Sequence, residues 1–353
     1  MNVDLFDYKL PPNLISQKLT LPRDHCNFLV YDSQNKKIYY KKFFDILDYL
    51  DKDDVLVLNN TKVFPARMIG EKQTGGKVEV FLVKPQDDKF CTNVNSKWEV
   101  MVNKKVVDQQ EIVFKKRNKV ILTGTILQGE KLTIDFALKG KKLWEAIYAL
   151  GDMPLPPYIK DHSDQKHYQT IYAKNVGSCA APTAGFHFTK NLLNKIEKKG
   201  IKIEYVTLNV GLGTFKPIKV DKVEDHKMDR EFLSIEKSVA KRLTAYKSKG
   251  RKIVAVGTTV VRTLESIFDG KVFRDDVLST NIFIYPGYKF KAIDKFVTNF
   301  HLPKSTPLMM TSAFVAHKQK NTEQAREEIL RIYNGAIKNK FKFYSFGDSM
   351  III

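Results

Sequence analysis

The sequence predicts an α/β fold: a layered α/β core domain built from both ends of the chain, with a small β-barrel domain inserted between them. Three observations carry this. The continuous apolar run Val55-Leu56-Val57-Leu58 marks a strand buried on both faces. From about Thr61 to Leu138 the hydrophobic period becomes two. After Pro154-Leu155-Pro156-Pro157, strand and helix patterns alternate, as in a sheet covered by helices. The core is therefore assigned to residues 1–61 and 151–353, and the barrel to 62–150.

Taken in order, Phe43, Ile46, Leu47 and Leu50 have helical spacing ahead of the buried run. In the inserted part, Lys77-Val78-Glu79-Val80-Phe81-Leu82-Val83 alternates and then turns apolar. Trp98 to Val102, Ile112 to Phe114, Val120 to Leu127 and Leu132 to Leu138 follow as short strands. Turns such as Gln128-Gly129-Glu130 separate them, and the polar stretch Gln86 to Lys97 reads as a loop. In the second half, Asn191 to Lys199 is a helix capped by Thr189 and ended by Gly200. Ile201 to Val210 is a strand and Ser234 to Lys249 a helix. Ile253 to Val256 is a buried strand, followed by Gly257-Thr258-Thr259 and a helix through Phe268.

With 353 residues the chain can bury a large core without disulfide or metal staples. Its 43% hydrophobic and 28% charged residues exclude a disordered chain or a collagen. No apolar run reaches the ~18 residues of a membrane helix, and no basic-then-apolar leader is visible. Cys26, Cys91 and Cys179 are far apart and form no metal spacing, so a cytoplasmic setting is expected. Lys plus Arg number 59 against 39 Asp plus Glu, a net charge of +20. Such a field suits nucleic acid, although a solvated lysine face without a partner would give the same count.

Common cofactor motifs fail on inspection. Gly70 and Gly75 have Walker spacing, but Gly76 stands where lysine belongs and an alternating strand follows. Gly211-Leu212-Gly213 lacks the third glycine of a dinucleotide loop. His162 and His167 have no metal-binding companions, and neither a HExxH helix nor a GxSxG elbow is present.

Four segments are richer in chemistry than composition requires. Ala180 to Thr189 combines small residues, including Thr183 and Gly185, with His187 ahead of a helix. Gly257-Thr258-Thr259 lies between a buried strand and a helix, with Arg262 one turn in to pair with an anion. Thr298 to Thr306 gathers Asn299, His301 and Lys304 around Pro303. Asn59-Asn60-Thr61, with Arg67 beyond, follows the buried strand. Each has a plain structural alternative: a satisfied buried histidine, helix capping, or a turn.

Together these segments resemble the S-adenosylmethionine:tRNA ribosyltransferase-isomerase family of queuosine synthesis, nearly end to end. The resemblance rests on Phe6-Asp7-Tyr8 with Leu10-Pro11-Pro12, Arg23-Asp24, and Leu58 to Val63 with Pro65-Ala66-Arg67. It continues through Thr74 to Glu79, Pro154 to Ile159, Tyr168-Gln169-Thr170 and Ala180 to Thr189. Val210 to Phe215, His226-Lys227-Met228, Val256 to Glu265, Pro286-Gly287-Tyr288, Thr298 to Thr306 and Tyr344 to Met350 complete it. Against the family pattern, Asn60 and Lys62 replace the usual Asp and Arg, Phe186 a Leu, Val260 a Ser and Asp229 a His.

The resemblance implies that S-adenosylmethionine is used as a ribosyl donor. The acceptor is tRNA carrying 7-aminomethyl-7-deazaguanine (preQ1) at the wobble position. The products are epoxyqueuosine-tRNA, adenine and methionine. It further implies no metal, no retained cofactor and no obligatory protein partner, hence a monomer. Such chemistry needs a base for a C5′ proton and an acid on the adenine side. His187 is the first candidate and His226 the second, with Arg67 grouped beside them as catalytic. Thr183, Gly185, Asn299 and His301 are assigned to substrate, His301 being the third acid–base candidate. Gly257, Thr258, Thr259 and Arg262 are expected to grip the methionine carboxylate. Asn59, Thr61 and Arg67 are assigned to the purine or ribose. Phe186, Phe188 and Tyr288 are candidates for stacking on a flipped base, with core packing as the alternative. The rival functions are an RNA methyltransferase, which would release S-adenosylhomocysteine, and a non-catalytic tRNA-binding protein, which would bind no donor.

Overall fold

A computed structural model describes residues 1–87, 90, 93–160, 167–211, 218–319 and 322–353. The predicted run Gln86 to Lys97 and the Gly211-Leu212-Gly213 motif therefore cross its edges, and His162, Leu212, Gly213 and Cys91 lie outside the described residues.

The core sheet interleaves the two ends of the chain. From the first 61 residues come β1 (Asn27–Asp32), β2 (Lys37–Lys42) and β3 (Val55–Asn59). A two-stranded sheet pairs β4 (Thr61–Val63) with β11 (Asn175–Ser178). From the second half come β12 (Lys202–Leu208), β13 (Glu231–Ser234), β14 (Ile253–Val256), β15 (Ser279–Thr280), β16 (Lys295–Asn299) and β17 (Ser349–Ile352). The nine strands run β15-β13-β12-β3-β14-β16-β17-β1-β2. β3 lies parallel between β12 and β14, and β16 is parallel to β14. All five residues of β3 are buried, as a strand covered on both faces must be. Val55 and Val57 face one core, while Leu56 and Leu58 face the other. The first core is closed by α3 (Lys237–Ser248), α4 (Thr258–Ile267), α5 (Thr306–Gln319) and α6 (Thr322–Lys338). The second is closed by α2 (Lys190–Lys198) and the tight helix Phe43–Tyr49. That helix is 3-10, which places Phe43 and Ile46 on one buried face.

The barrel is closed from six antiparallel strands: β5 (Arg67–Lys72), β6 (Lys77–Pro85), β7 (Lys97–Val102), β8 (Glu111–Lys116), β9 (Lys119–Leu127) and β10 (Thr133–Phe136). Closure leaves no sheet edge open. Arg117 and Asn118 both have positive φ at the β8–β9 hairpin, the backbone twist that two-residue hairpins favour. A Cβ on Gly70 would stand 2.3 Å from Ile112, so the interior admits only glycine there. Helix α1 (Gly140–Leu150) follows and packs Leu143, Ala146 and Ile147 into the barrel core. The sequence reading has no helix there, although Leu143, Ala146, Ile147 and Leu150 have helical spacing. The helix expected from Ser234 begins at Lys237, because residues up to Ser234 pair as β13 with β12 and β15. Among the described residues, no helix is long and apolar enough to cross a membrane.

At the amino ends of the parallel strands, Lys295 is buried and donates to Asp54 at 2.7 Å and Asp51 at 3.0 Å. Asp54 is 1% exposed. Removing one member strands the other charge in the interior, at a cost of about 3–5 kcal/mol. Asp54→Ala is expected to lower unfolding free energy by about that much in a urea titration. A loss below ~1 kcal/mol would show that the pair behaves as a surface bridge.

Candidate active site

The carboxyl ends of β12, β3, β14 and β16 converge on one set of loops, where open α/β sheets hold ligands. Residues 180–184 after β11, 257–259 after β14 and 298–302 at the end of β16 line a cavity of about 110 Å³. Thr183, Gly257, Thr258, Thr259, Asn299 and His301 all line it, so six of the predicted substrate residues meet in space.

Gly257 adopts φ 90°, a conformation costly for any residue with a Cβ, and opens α4 without a side-chain cap. The first N–H groups of α4 therefore present uncancelled positive character where Thr258 and Thr259 meet the cavity. A second, smaller cavity shares Thr258, Thr259 and Pro307 and is lined by Arg262. Arg262 is buried and paired with Glu231 through Nη1, while its Nη2 has no partner among the described residues. Burial pushes the Glu231 carboxyl up, and Arg262 opposes this. One guanidinium nitrogen thus remains for an anion arriving beside the helix.

Asn299 connects the cavity to a buried layer. Its Nδ2 lies 3.4 Å from the carbonyls of both Tyr344 and Asp348, and its Oδ1 accepts from Thr183 at 3.3 Å. Nδ2 is thereby fixed as the donor, and the His187 Nε2 at 3.1 Å accepts. Neutral His187 then carries its proton on Nδ1, facing the Cys26 sulfur at 3.1 Å. His187 is fully buried, tilted against Phe43, and absent from the cavity wall. Burial first, and Arg23 second, pull it down to about 3. The structure sets His187, expected to act on substrate, behind the cavity wall: both ring nitrogens are occupied, and the ring orients Asn299.

His301 is the histidine on the wall. Its Nε2 lies 2.8 Å from Thr298 Oγ1, and its Nδ1 has no partner among the described residues. The Tyr8 hydroxyl donates to its carbonyl, and its own N–H donates to Tyr333 at 3.2 Å. Burial pulls it down to about 3, which keeps the ring neutral; in the tautomer whose Nε2–H donates to Thr298, Nδ1 carries the lone pair. Opposite stand Tyr158 and Tyr344, with ring centroids 4.7 Å apart and the Tyr158 hydroxyl 2.6 Å from Ser345. Sequence reasoning missed this pair as site residues. The positive φ of Tyr344, 72°, is strain of the kind that clusters at functional sites.

The other predicted residues lie elsewhere. Gly185 is glycine because a Cβ would stand 2.0 Å from the Tyr172 hydroxyl, so it admits Tyr172 rather than a ligand. Asn59 is a buried clasp whose Oδ1 accepts from Thr61 N and Leu208 N. Thr61 is buried and donates to Asn209 at 2.8 Å. Arg67 stands on barrel strand β5, held by Glu79 at 2.6 Å, away from the cavity wall. His226 packs edge-on against Phe283 at 5.1 Å and lies off both cavity walls. Phe186 and Phe188 are fully buried core residues, and Tyr288 is bonded to Glu265, so core packing describes all three. Among the described residues, no cluster of three His, Cys, Asp or Glu is placed to hold a metal.

The model of a protein family described as "Queuosine biosynthesis protein" matches residues 3–352. The chain is 42% identical to the S-adenosylmethionine:tRNA ribosyltransferase-isomerase of Sulfurihydrogenibium sp. (strain YO3AOP1), over the full length of both. It is also similar to the crystal structure of S-adenosylmethionine tRNA ribosyltransferase from Thermotoga maritima. That likeness has a TM-score of 0.54 and 30% identity, covering 99% of this chain and 100% of the other.

The buried histidines set a pH dependence whose sign is fixed. Unfolded histidine binds a proton near its ordinary 6.5, whereas folded His187 and His301 resist until about 3. The unfolded state therefore binds more protons in between. The stabilisation is whole above about 6.5 and is lost as pH falls towards about 3. Glu231, Glu265 and Asp348, raised by burial, act in the opposite sense, so the difference between proteins is the readout. His187→Gln should flatten the decline of the urea midpoint between about pH 7 and pH 5. Equal slopes for both proteins would assign the effect to other groups.

Proposed function

The chain belongs to the queuosine biosynthesis protein family, and from that premise we propose that it transfers and isomerises the ribosyl moiety of S-adenosylmethionine onto the 7-aminomethyl group of 7-deazaguanine (preQ1) at the wobble position of tRNA. The product is epoxyqueuosine-tRNA, and adenine and methionine leave. The observation that carries the site assignment is one cavity uniting an uncapped helix start with a histidine whose Nδ1 is open.

The donor's carboxylate suits the α4 N-terminus at Thr258 and Thr259, with Arg262 Nη2 approaching from the adjoining cavity. The tilted Tyr158–Tyr344 pair offers the adenine an aromatic wall. The sulfonium acidifies the C5′ protons, and His301 is the residue placed to accept one. Ring opening expels adenine, the tRNA-borne amine bonds to the opened ribosyl chain, and closure of the epoxide breaks the C5′–sulfur bond and releases methionine. Donor carboxylate and RNA phosphate bring negative charge towards His301, which raises its affinity for that proton. His187 acts through Asn299 as a positioning residue. The +20 charge supplies attraction for the tRNA phosphates.

We further infer a cytoplasmic monomer that needs no retained cofactor or metal. The free, buried thiols of Cys26 and Cys179 support a reducing compartment. One chain completes the sheet, the barrel and the cavity alike, which supports a monomer.

Incubation with S-adenosylmethionine and preQ1-bearing tRNA should release adenine and methionine, measured by mass, only when the modified base is present. S-adenosylhomocysteine in their place would overturn the reading in favour of methyl transfer. His301→Ala should lower kcat by about 10²–10⁴-fold while donor binding survives; unchanged kcat would remove it from proton transfer. Dialysis against EDTA should leave turnover intact, and a loss restored by added metal would refute the cofactor-free assignment.

A further inference from the structure

A second, larger cavity of about 820 Å³ lies where the barrel meets the core sheet, outside the site described above. Trp144 and Tyr148 of α1 form one side, and Phe232 of β13 faces them from the other. Tyr148 is 47% exposed, and among the described residues its only ring partner is Trp144, at 6.2 Å. Among the described residues the lining contains Lys141 and Lys174 and no carboxylate. Lys174 is exposed and makes no ion pair among the described residues. The Lys84 ammonium lies 5.8 Å over the Phe232 ring at the same place.

Hydrogen-bonding capacity is left open between the rings. Asn209 accepts from Thr61 through Oδ1, which leaves its Nδ2 to donate. Asn175 donates through Nδ2 to Thr207 at 2.8 Å, which leaves its Oδ1 to accept. Both amides line the cavity. A Cβ on Gly177 would stand 2.3 Å from Asn209 Nδ2, so the adjoining strand is built to admit that amide. Flat aromatic faces, the exposed Lys174 beside a Lys141 that pairs with Glu145 at 3.8 Å, and a donor–acceptor pair suit an unstacked base on a phosphate backbone.

We propose that this groove binds an unpaired base of the RNA substrate next to the one that reacts; the proposal rests on the tRNA reading above. Asn209 lines the groove and the next residue, Val210, lines the loop cavity, so consecutive residues back onto both spaces. Nearby nucleotides of one splayed loop can then occupy the two sites together. A small apolar ligand would leave the open amides and Lys174 unanswered.

The chain has two tryptophans, and Trp98 is fully buried in the barrel, so Trp144 is the emitter that a stacked base can reach. An unmodified anticodon-arm RNA hairpin, titrated into the intact protein, should quench tryptophan emission, and Trp144→Phe should remove the quench. Tyr148→Ala should weaken hairpin affinity, read by anisotropy, by ~5- to 150-fold, with S-adenosylmethionine affinity unchanged. Salt-dependent RNA binding without quench, and indifferent to Tyr148→Ala, would overturn the groove while leaving the tRNA reading standing. Quench by S-adenosylmethionine alone would give the groove to the donor and equally overturn the proposal. Absence of RNA binding altogether would defeat the tRNA reading itself.

Discussion

The side chain of Asn59 holds the parts of the site in register. It ends β3, the strand through which the first part of the chain enters a sheet made mostly by the last. Its Oδ1 accepts from Thr61 N at 3.0 Å and Leu208 N at 3.2 Å, while Nδ2 donates to Leu208 O at 3.0 Å and Thr259 Oγ1 at 3.1 Å. One amide at 1% exposure therefore joins the exits of β3 and β12 to the start of α4. Each of these groups would cost about 1–3 kcal/mol if left buried and unpaired. Thr259, the second residue of α4, is thereby tied to the sheet, while the N-cap position falls to Gly257, which has no side chain to cap the helix.

The two buried histidines follow the same logic of fixed partners. His187 and His301 are both held neutral by burial. The amide orientation of Asn299 then passes a single hydrogen-bonding pattern from Cys26 through His187 to the cavity wall. The strong positive charge is kept for the surface and for the groove beside the barrel, where water or phosphate can meet it.

Much of the fold was legible because burial leaves a signature along the chain. β3 and β14 read as uninterrupted apolar runs, and the barrel strands read by their alternation. Helix α1 escaped because its apolar spacing was absorbed into the barrel segment that it closes. That Thr183, Thr258, Thr259, Asn299 and His301 meet in one cavity was legible because loops after parallel strands converge in any such sheet. That His187 stands behind the cavity wall was not legible, since its neighbours Cys26 and Phe43 come from the far end of the chain. Arg67 looked available because Glu79, its partner, lies across a hairpin. Tyr158 and Tyr344 were missed because no local pattern announces that two distant aromatics will share a wall.

Asn60 stands where the family resemblance leads one to expect a carboxylate, and its surroundings say what that exchange alters. Oδ1 accepts from Thr207 at 2.7 Å and Asn175 at 3.3 Å. A carboxylate oxygen would accept both bonds equally well, so the loop geometry survives the amide. What changes is charge. Asn60 and Lys174 line the same cleft, and Asn175 and Thr207 carry on into the aromatic groove. Losing a negative charge there leaves the local field more positive on the side where Lys174 faces solvent. The substitution therefore shifts the edge of the site towards phosphate attraction while conserving the hydrogen bonds that shape it.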